Sequence, residues 1–283
     1  MSFINSMKSN NPPDQIFHYT TQRGLLGICK SKSIWTTKVL CLNDSSEYIL
    51  ALSLAREILT QLEKTEKYRS ENINLIMEAL DVIRRLNIFV SSFTENGDLL
   101  SQWRAYGNTS GGYSVGFDGK KLAEEAKNQG FFLSKCIYNP GKQREIMTKL
   151  LIELIEKEYD FSGYEGSESK FVYLVREEPT ITDDLGSIAP IFKNAGFQEE
   201  NEWRIISDGP KSAKDAKYRC GQSYIIPYFE FSLEKPLDFI KSITIGPSPH
   251  PDISNNTLKM LLLKHDKDYE IDVVQSKVPY RNW

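Results

Sequence analysis

The sequence predicts an α+β fold with a mixed or antiparallel central sheet and flanking helices. Strand-like and helical runs are interleaved, but the strand-like runs become denser in the C-terminal half. A doubly wound parallel sheet would alternate more regularly to its end, so a mixed or antiparallel sheet is the better expectation. The 283 residues suit one elaborated domain. We place it at 15–283 with a helical insertion at about 44–86, behind a flexible N-terminus at 1–14.

The first third of the chain predicts strands around a pair of helices. The run 34–39 is rich in β-branched and aromatic residues, which favour strands. Ile73, Ile76, Leu80 and Ile83 recur at helical spacing. The predicted elements are a strand at 15–19, a helix to residue 30, a strand at 34–39, helices to about residue 63 and over 71–86, and a strand at 88–93.

The rest of the chain returns repeatedly to short strands. Asn96-Gly97 is a turn signal, and Pro247 and Pro249 end a strand because proline cannot donate to a sheet ladder. The predicted elements are a short helix carrying Trp103, a strand at 113–117, a helix at 120–128, a strand at 131–138, a helix at 144–158, mainly helical structure at 171–192, strands at 202–207, 222–231 and 241–246, a helix through 257–264 and a strand at 269–274.

Composition narrows the classes of protein. The net charge is −3 and there is no long Lys/Arg run, so the chain lacks the basic surface of a general nucleic-acid binder. The four cysteines are scattered without zinc spacing, which predicts four buried free thiols and no metal site. No apolar run approaches the ~20 residues of a membrane span, and residues 1–14 lack the apolar region of a signal peptide. We therefore expect a soluble, cytoplasmic protein without a membrane partner.

Polar residues in three places are candidates for chemistry. His18 ends the first strand and precedes a helix, whereas the other two histidines lie in the last quarter of the chain. Ser101-Gln102-Trp103-Arg104 and Glu199 to Arg204 are the other two arrays. Together they offer one imidazole, two guanidiniums and a carboxylate.

Strand alternation assigns the residues around Glu202 to two opposite faces of a strand. Glu202 and Arg204 fall on one face of a strand and Trp203 on the other. Trp203 can then anchor the strand in the core while Glu202 points into a cleft. The alternative is an edge-strand Glu202 paired with Arg204 in solvent, because carboxylates are seldom buried.

A helix presents Arg104 in a similar way. Leu99, Trp103 and Tyr106 share one helix face, which leaves Arg104 on another. Its planar guanidinium suits a phosphate or a carboxylate, and the alternative is a structural bridge to an acidic residue. The glycine-rich run 107–112 could bring backbone N–H groups to an anion, but it is not a Walker loop.

These residues belong to a longer series of motifs that resembles the bacterial domain-of-unknown-function family 2971. The motifs are His18-Tyr19-Thr20, Gly24-Leu25-Leu26-Gly27-Ile28, Leu42-Asn43-Asp44, Ser91-Ser92-Phe93, the run 98–107, the run 112–117, Glu202-Trp203-Arg204 and Ile245-Gly246-Pro247. The resemblance covers most of the chain, but the family name implies no activity.

A second, more distant resemblance does imply an enzymatic activity. An early strand-end His, a central aromatic residue and a late strand-borne Glu resemble the His-Tyr-Glu layout of ADP-ribosyltransferases. This resemblance implies that His18 binds the nicotinamide ribose, that Tyr106 or Tyr113 stacks on nicotinamide, and that Glu202 orients the ribose 2′-hydroxyl. His18 and Glu202 are then catalytic, and Arg104 holds the pyrophosphate. The implied substrate-binding residues are Tyr19, Thr20, Ser92, Arg104, Tyr106, Tyr113 and Arg204.

The expected function is therefore cleavage of the nicotinamide–ribose bond of NAD. NAD is the substrate, no metal is needed, and ADP-ribose passes to a protein, a nucleic acid or water. A role in bacterial defence against phage is part of this expectation. A non-catalytic module that binds a nucleotide or a phosphorylated ligand is the first alternative, and an RNA-processing enzyme is the second.

Overall fold

The computed structural model describes residue 7 and residues 11–42, 46–107, 111–166, 169–177, 179–265 and 270–281. The strands are β1 (Gln15–Thr20), β2 (Ser33–Lys38), β3 (Phe89–Thr94), β4 (Tyr113–Asp118), β5 (Phe131–Lys135), β6 (Glu202–Ser207), β7 (Lys217–Cys220), β8 (Ile225–Ser232), β9 (Ile240–Ile245) and β10 (Asp272–Gln275). The α-helices are α1 (Gln22–Ser31), α2 (Ser46–Glu63), α3 (Ser70–Ile83), α4 (Leu100–Tyr106), α5 (Gly119–Asn128), α6 (Pro140–Glu156), α7 (Lys170–Glu177), α8 (Thr180–Ile188), α9 (Pro236–Phe239) and α10 (Pro251–His265).

The predicted α+β class is confirmed. Within the described residues, ten strands form one open sheet, and β9 with β10 is its parallel pair while the other pairs are antiparallel. The strand predicted at 222–231 is β8, and the strand that pairs with it, β7, was not predicted. The predicted helix at 257–264 begins earlier, at Pro251, since proline is tolerated in the first turn of a helix.

The sheet divides into two branches at β3. β6 pairs with β3 from Val90 to Thr94 and occupies one edge of that strand. The other edge is shared, because β1 pairs with Thr94 and β2 pairs with Phe89 and Val90. One branch therefore runs β1, β4, β9, β10 and the other runs β2, β8, β7, while β5 continues the sheet beyond β6.

Each face of the sheet has its own core. The face that carries Val90, Ser92 and Thr94 of β3, here called the insertion face, packs Val90 and Ile206 against α2, α3, α6 and α8. The opposite face packs Phe93 against α1, α5 and α10. Along β6, therefore, successive side chains enter different cores.

The predictions for the helical insertion, the N-terminal segment and the cysteines have different outcomes. Helices α2 and α3 lie between β2 and β3, where the helical insertion was placed. The flexible segment expected at 1–14 falls largely outside the described residues. The prediction of four buried thiols was wrong: all four cysteines are free, but Cys41 is half-buried and Cys220 is exposed.

Candidate functional site

Glu202 lies at the first position of an internal strand. β6 is hydrogen-bonded to β3 on one side and to β5 on the other, and Glu202 is only 4% exposed. The interpretation of Glu202 as a solvent-exposed edge residue was therefore wrong, because β5 covers the edge that it required. The pairing of Glu202 with Arg204 is present, but it is buried.

Both carboxylate oxygens of Glu202 accept hydrogen bonds from cations. Arg204 Nε donates to Oε1 over 2.7 Å and its Nη2 donates to Oε2 over 3.0 Å. Lys193 Nζ also donates to Oε2, and it donates to Glu200 as well. Arg204 Nη1 donates to the Pro190 carbonyl over 2.6 Å. We call Lys193, Glu200, Glu202 and Arg204 the buried charge cluster.

The charge cluster keeps Glu202 ionised. Burial alone would raise the pKa of its carboxyl, but the charges of Arg204 and Lys193 outweigh burial and lower that pKa to about 2. Burial alone would likewise lower the pKa of Lys193, and the neighbouring Glu202 carboxylate overcomes this and raises it. At neutral pH the site therefore holds a fixed carboxylate between two permanent cations.

Neighbouring groups hold the start of β6 in place. Trp203 points into the opposite core, as alternation predicts, and its Nε1 donates to Glu95 over 2.8 Å. The backbone N–H of Glu202 donates to the Tyr138 hydroxyl, and its carbonyl accepts from the Cys136 N–H, each over 2.8 Å. Glu202 is thus fixed through its backbone as well as through its carboxylate.

Ser92 and Tyr106 lie beside the charge cluster. Ser92 stands directly opposite Arg204 in the β3–β6 register, on the insertion face. Tyr106, at the end of α4, is 40% exposed. Its pKa is raised, first by burial and then by the negative charges of Glu202 and Glu200, so its ring lies within electrostatic range of the carboxylate. The structure therefore places Ser92, Glu202 and Arg204 on one face of the sheet, with Tyr106 within electrostatic range of Glu202.

Tyr19 positions the helix that carries Tyr106. Its hydroxyl donates to the Asn96 carbonyl over 2.9 Å and accepts from the Leu99 N–H over 2.8 Å. Its ring packs edge-on against Trp103 with centroids 4.6 Å apart. Both hydrogen bonds of the Tyr19 hydroxyl are therefore made with the loop that precedes α4.

His18 belongs to the other face of the sheet. Its ring lies 5.6 Å from the Phe93 ring, and Nδ1 donates to the Ser92 carbonyl over 2.9 Å. Because a carbonyl only accepts, the proton is on Nδ1, and in the neutral ring Nε2 carries the lone pair. Burial lowers the pKa of His18 despite the opposing effect of this hydrogen bond. Glu202 lies two strands away, roughly 10 Å, on the insertion face.

The structure places the remaining predicted residues apart from Glu202. Arg104 is exposed, and its guanidinium lies 5.4 Å from the centre of the Tyr280 ring. Tyr113 stands opposite Ile245 on the face of His18, and burial raises its pKa. Thr20 packs closely against Gly24 of α1. Of the glycine-rich run, residues 108–110 lie outside the described residues.

Lys193 is the residue of the cluster that sequence reasoning missed. It follows the apolar run Ile191-Phe192, which the pattern assigned to a helix end, and nothing in its spacing points to Glu202. The available signal was the position of a lysine directly after two apolar residues. Its side chain is 7% exposed, so it needed a buried anion as partner.

The described residues contain neither a metal-binding group of side chains nor a helix that could span a membrane. In the described part of the chain, no three or more His, Cys, Asp or Glu side chains are grouped so that they could hold a metal ion. Nor does any helix there combine the length and apolar composition that crossing a bilayer requires.

Part of the chain matches a known family model. Residues 102–205 match the model of a family described as a protein of unknown function (DUF2971). No curated protein matches the chain, and no solved structure does. The matched region runs from α4 to β6 and contains Tyr106, Lys193, Glu202 and Arg204. The segment that builds the buried charge cluster is thus the segment that is similar to this family.

Proposed function

We propose that the chain is an ADP-ribosyltransferase-like enzyme that cleaves the nicotinamide–ribose bond of NAD and transfers ADP-ribose to a macromolecular acceptor or to water. The observation that carries the proposal is the fixed, ionised Glu202 carboxylate near the partly exposed ring of Tyr106. His18 lies on the opposite face of the sheet, so the proposal rests on Glu202 and Tyr106 and assigns no contact with the substrate to His18.

The chemistry requires a preorganised negative charge. Breaking the nicotinamide–ribose bond builds positive charge on the sugar, as in glycoside hydrolysis. A carboxylate that is already ionised and held in place stabilises that charge without reorganising at the moment of reaction. Glu202 meets this requirement because its pKa is far below neutral pH.

The remaining residues would bind and orient the substrate. The exposed part of the Tyr106 ring offers a surface for nicotinamide, and the Ser92 hydroxyl lies on the same face. Glu202 must release one oxygen to reach a ribose hydroxyl. Lys193 allows this because it also donates to Glu200 and can remain paired there when it leaves Glu202.

The test is turnover of labelled NAD with protein, DNA and RNA acceptors. Glu202→Gln should lower turnover roughly 10²–10³-fold at a temperature where the variant is folded, the order seen for loss of one preorganised contact. Tyr106→Ala should reduce turnover, whereas Tyr113→Ala is the matched control on the other face. A defence role further predicts that the active chain, but not Glu202→Gln, limits phage growth. Absence of nicotinamide release and of label transfer with every acceptor would refute the proposal.

One observation favours a second candidate, a non-catalytic nucleotide-binding module. Both oxygens of Glu202 are occupied by Arg204 and Lys193, so the carboxylate is not free to contact a ribose in this arrangement. A module of this kind would bind a nucleotide and return it unchanged. Recovery of intact NAD from a tight complex that Tyr106→Ala weakens, with no nicotinamide released, would support this candidate against the enzyme.

A further inference from the structure

A partly exposed tryptophan lies on the branch of the sheet that Glu202 does not use. Trp35 of β2 packs against Tyr228 of β8, with ring centroids 4.4 Å apart and planes inclined by 30°. Tyr228 is 8% exposed and Trp35 is 42% exposed. The tyrosine therefore supports the indole from the protein side and leaves part of it open to solvent. We call these two residues the aromatic shelf.

Arg219 reaches the shelf's face of β2 at Thr37, and Lys38, the next residue of β2, lies on the opposite face. Arg219 Nη2 donates to the Thr37 hydroxyl over 3.2 Å, and its buried Nε has no acceptor among the described residues. Lys38 Nζ donates to the Asn87 side chain over 2.9 Å. Neither cation forms an ion pair with any acidic side chain that the structure describes. Both lie close enough to Cys41 to lower its pKa, against the larger effect of burial, which raises it.

The positive charge is local to this end. At the other end, Glu230 stands opposite Trp35 and is already paired with Lys217 over 2.6 Å. Arg219 therefore offers unused guanidinium donors on the face of β2 that carries Trp35, although the whole chain has a net charge of −3. A planar guanidinium with free donors is suited to a phosphate.

We propose that the aromatic shelf and Arg219 bind one nucleotide unit, with the base stacked on Trp35 and the phosphate held by Arg219. Trp35 and Thr37 lie two residues apart on one face of β2, roughly 6.6 Å, which is comparable with the distance from base to phosphate within a nucleotide. Base–aromatic stacking tolerates any base. The inference concerns binding alone, and Glu202 takes no part in it.

The test is equilibrium titration of the full chain with adenosine, AMP, NAD and a short single-stranded oligonucleotide. Trp35→Ala should weaken AMP binding by roughly 10-fold to 100-fold, which corresponds to the loss of one base–aromatic stack. Arg219→Ala should weaken AMP binding by roughly 10-fold and leave adenosine binding unchanged, because adenosine has no phosphate. Tyr218→Ala is the matched control, since Tyr218 is 61% exposed and points to the other face of β7.

The variants also separate binding from folding and from catalysis. Trp35→Tyr keeps an aromatic ring and should retain most of the affinity, with a melting temperature near that of the parent. Glu202→Gln should leave AMP affinity unchanged, so that failure of the proposed NAD cleavage does not affect the result. Comparison of AMP, NAD and the oligonucleotide identifies the source of the nucleotide unit. The inference is overturned if none of these ligands binds, or if Trp35→Ala binds AMP as tightly as the parent or as Tyr218→Ala.

Discussion

Replacing Glu202 with glutamine should destabilise the fold even though the side chain keeps its shape. The change removes the charge that faces Arg204 and Lys193 in a buried site. A carboxyl whose pKa falls from 4.5 to about 2 on folding contributes about 3 kcal/mol to the free energy of unfolding at neutral pH. Removing one partner of a buried ion pair costs about 3–5 kcal/mol in general. We expect the lower end, because Lys193 keeps Glu200 and Arg204 keeps the Pro190 carbonyl.

Thermal unfolding and urea unfolding measure this effect. For a chain of this size, a loss of about 3 kcal/mol lowers the melting temperature by roughly 6–12 °C. Glu145→Gln is the matched control, because Glu145 also pairs with two cations, Lys142 and Lys149, but at the surface. Its melting temperature should stay close to that of the parent, since exposed pairs contribute little. Equal melting temperatures for the two variants would show that Glu202 is not a buried charge partner.

The parent and Glu202→Gln should also differ in how their free energy of unfolding depends on pH. The pKa of Glu202 is lower in the folded chain than its ordinary value of 4.5, so its contribution is complete above pH 4.5. The contribution is lost as the pH falls through the folded-state pKa of about 2. The difference in free energy of unfolding between the parent and Glu202→Gln should therefore narrow from pH 4.5 towards pH 2. A difference that stays constant over this range would contradict the assignment.

Three further outcomes are expected. Trp203→Ala should cost about 3–5 kcal/mol in urea unfolding, because its ring is buried in the opposite core; a loss within experimental error would refute that anchor. NMR titration should show His18 protonating below pH 6.5 with its neutral-state proton on Nδ1, and a midpoint at or above 6.5 would contradict its burial. Asp98→Ala removes the acceptor of the Ser276 hydroxyl and should speed proteolysis after β10, whereas the exposed Asp81→Ala should not.

Much of the fold could be predicted from the sequence because the spacing of apolar residues within most helices and strands identifies each element separately. On β6, alternation correctly separates Glu202 from Trp203, since one residue per face follows from strand geometry alone. The run 217–220 was missed because Lys217, Tyr218 and Cys220 are all exposed at a sheet edge and show no buried face. The division of the sheet at β3 depends on pairings between residues more than fifty positions apart, which periodicity does not encode.

Within the candidate site, only the contact between residues of the same strand could be predicted from the sequence. Glu202 and Arg204 sit two residues apart on one strand, so their pairing follows from sequence. Lys193 reaches the same carboxylate from a separate segment, and the two-sided burial of β6 comes from β5, which is far away in the chain. Whether a carboxylate is exposed or buried therefore depended on tertiary packing.

The position of His18 follows from the division of the sheet. Among the described residues, β1 pairs with β3 only at Thr94 and β2 pairs only at Phe89 and Val90, so no strand pairs with 91–93 along that edge. Buried carbonyls need a donor, and the His18 imidazole N–H supplies one to Ser92, in place of the N–H of a missing strand. The same residue Ser92 places its side chain opposite Arg204 on the insertion face. His18 and Glu202 thus lie on opposite faces of the sheet, and Ser92 contacts His18 through its carbonyl while its side chain is on the face of Glu202.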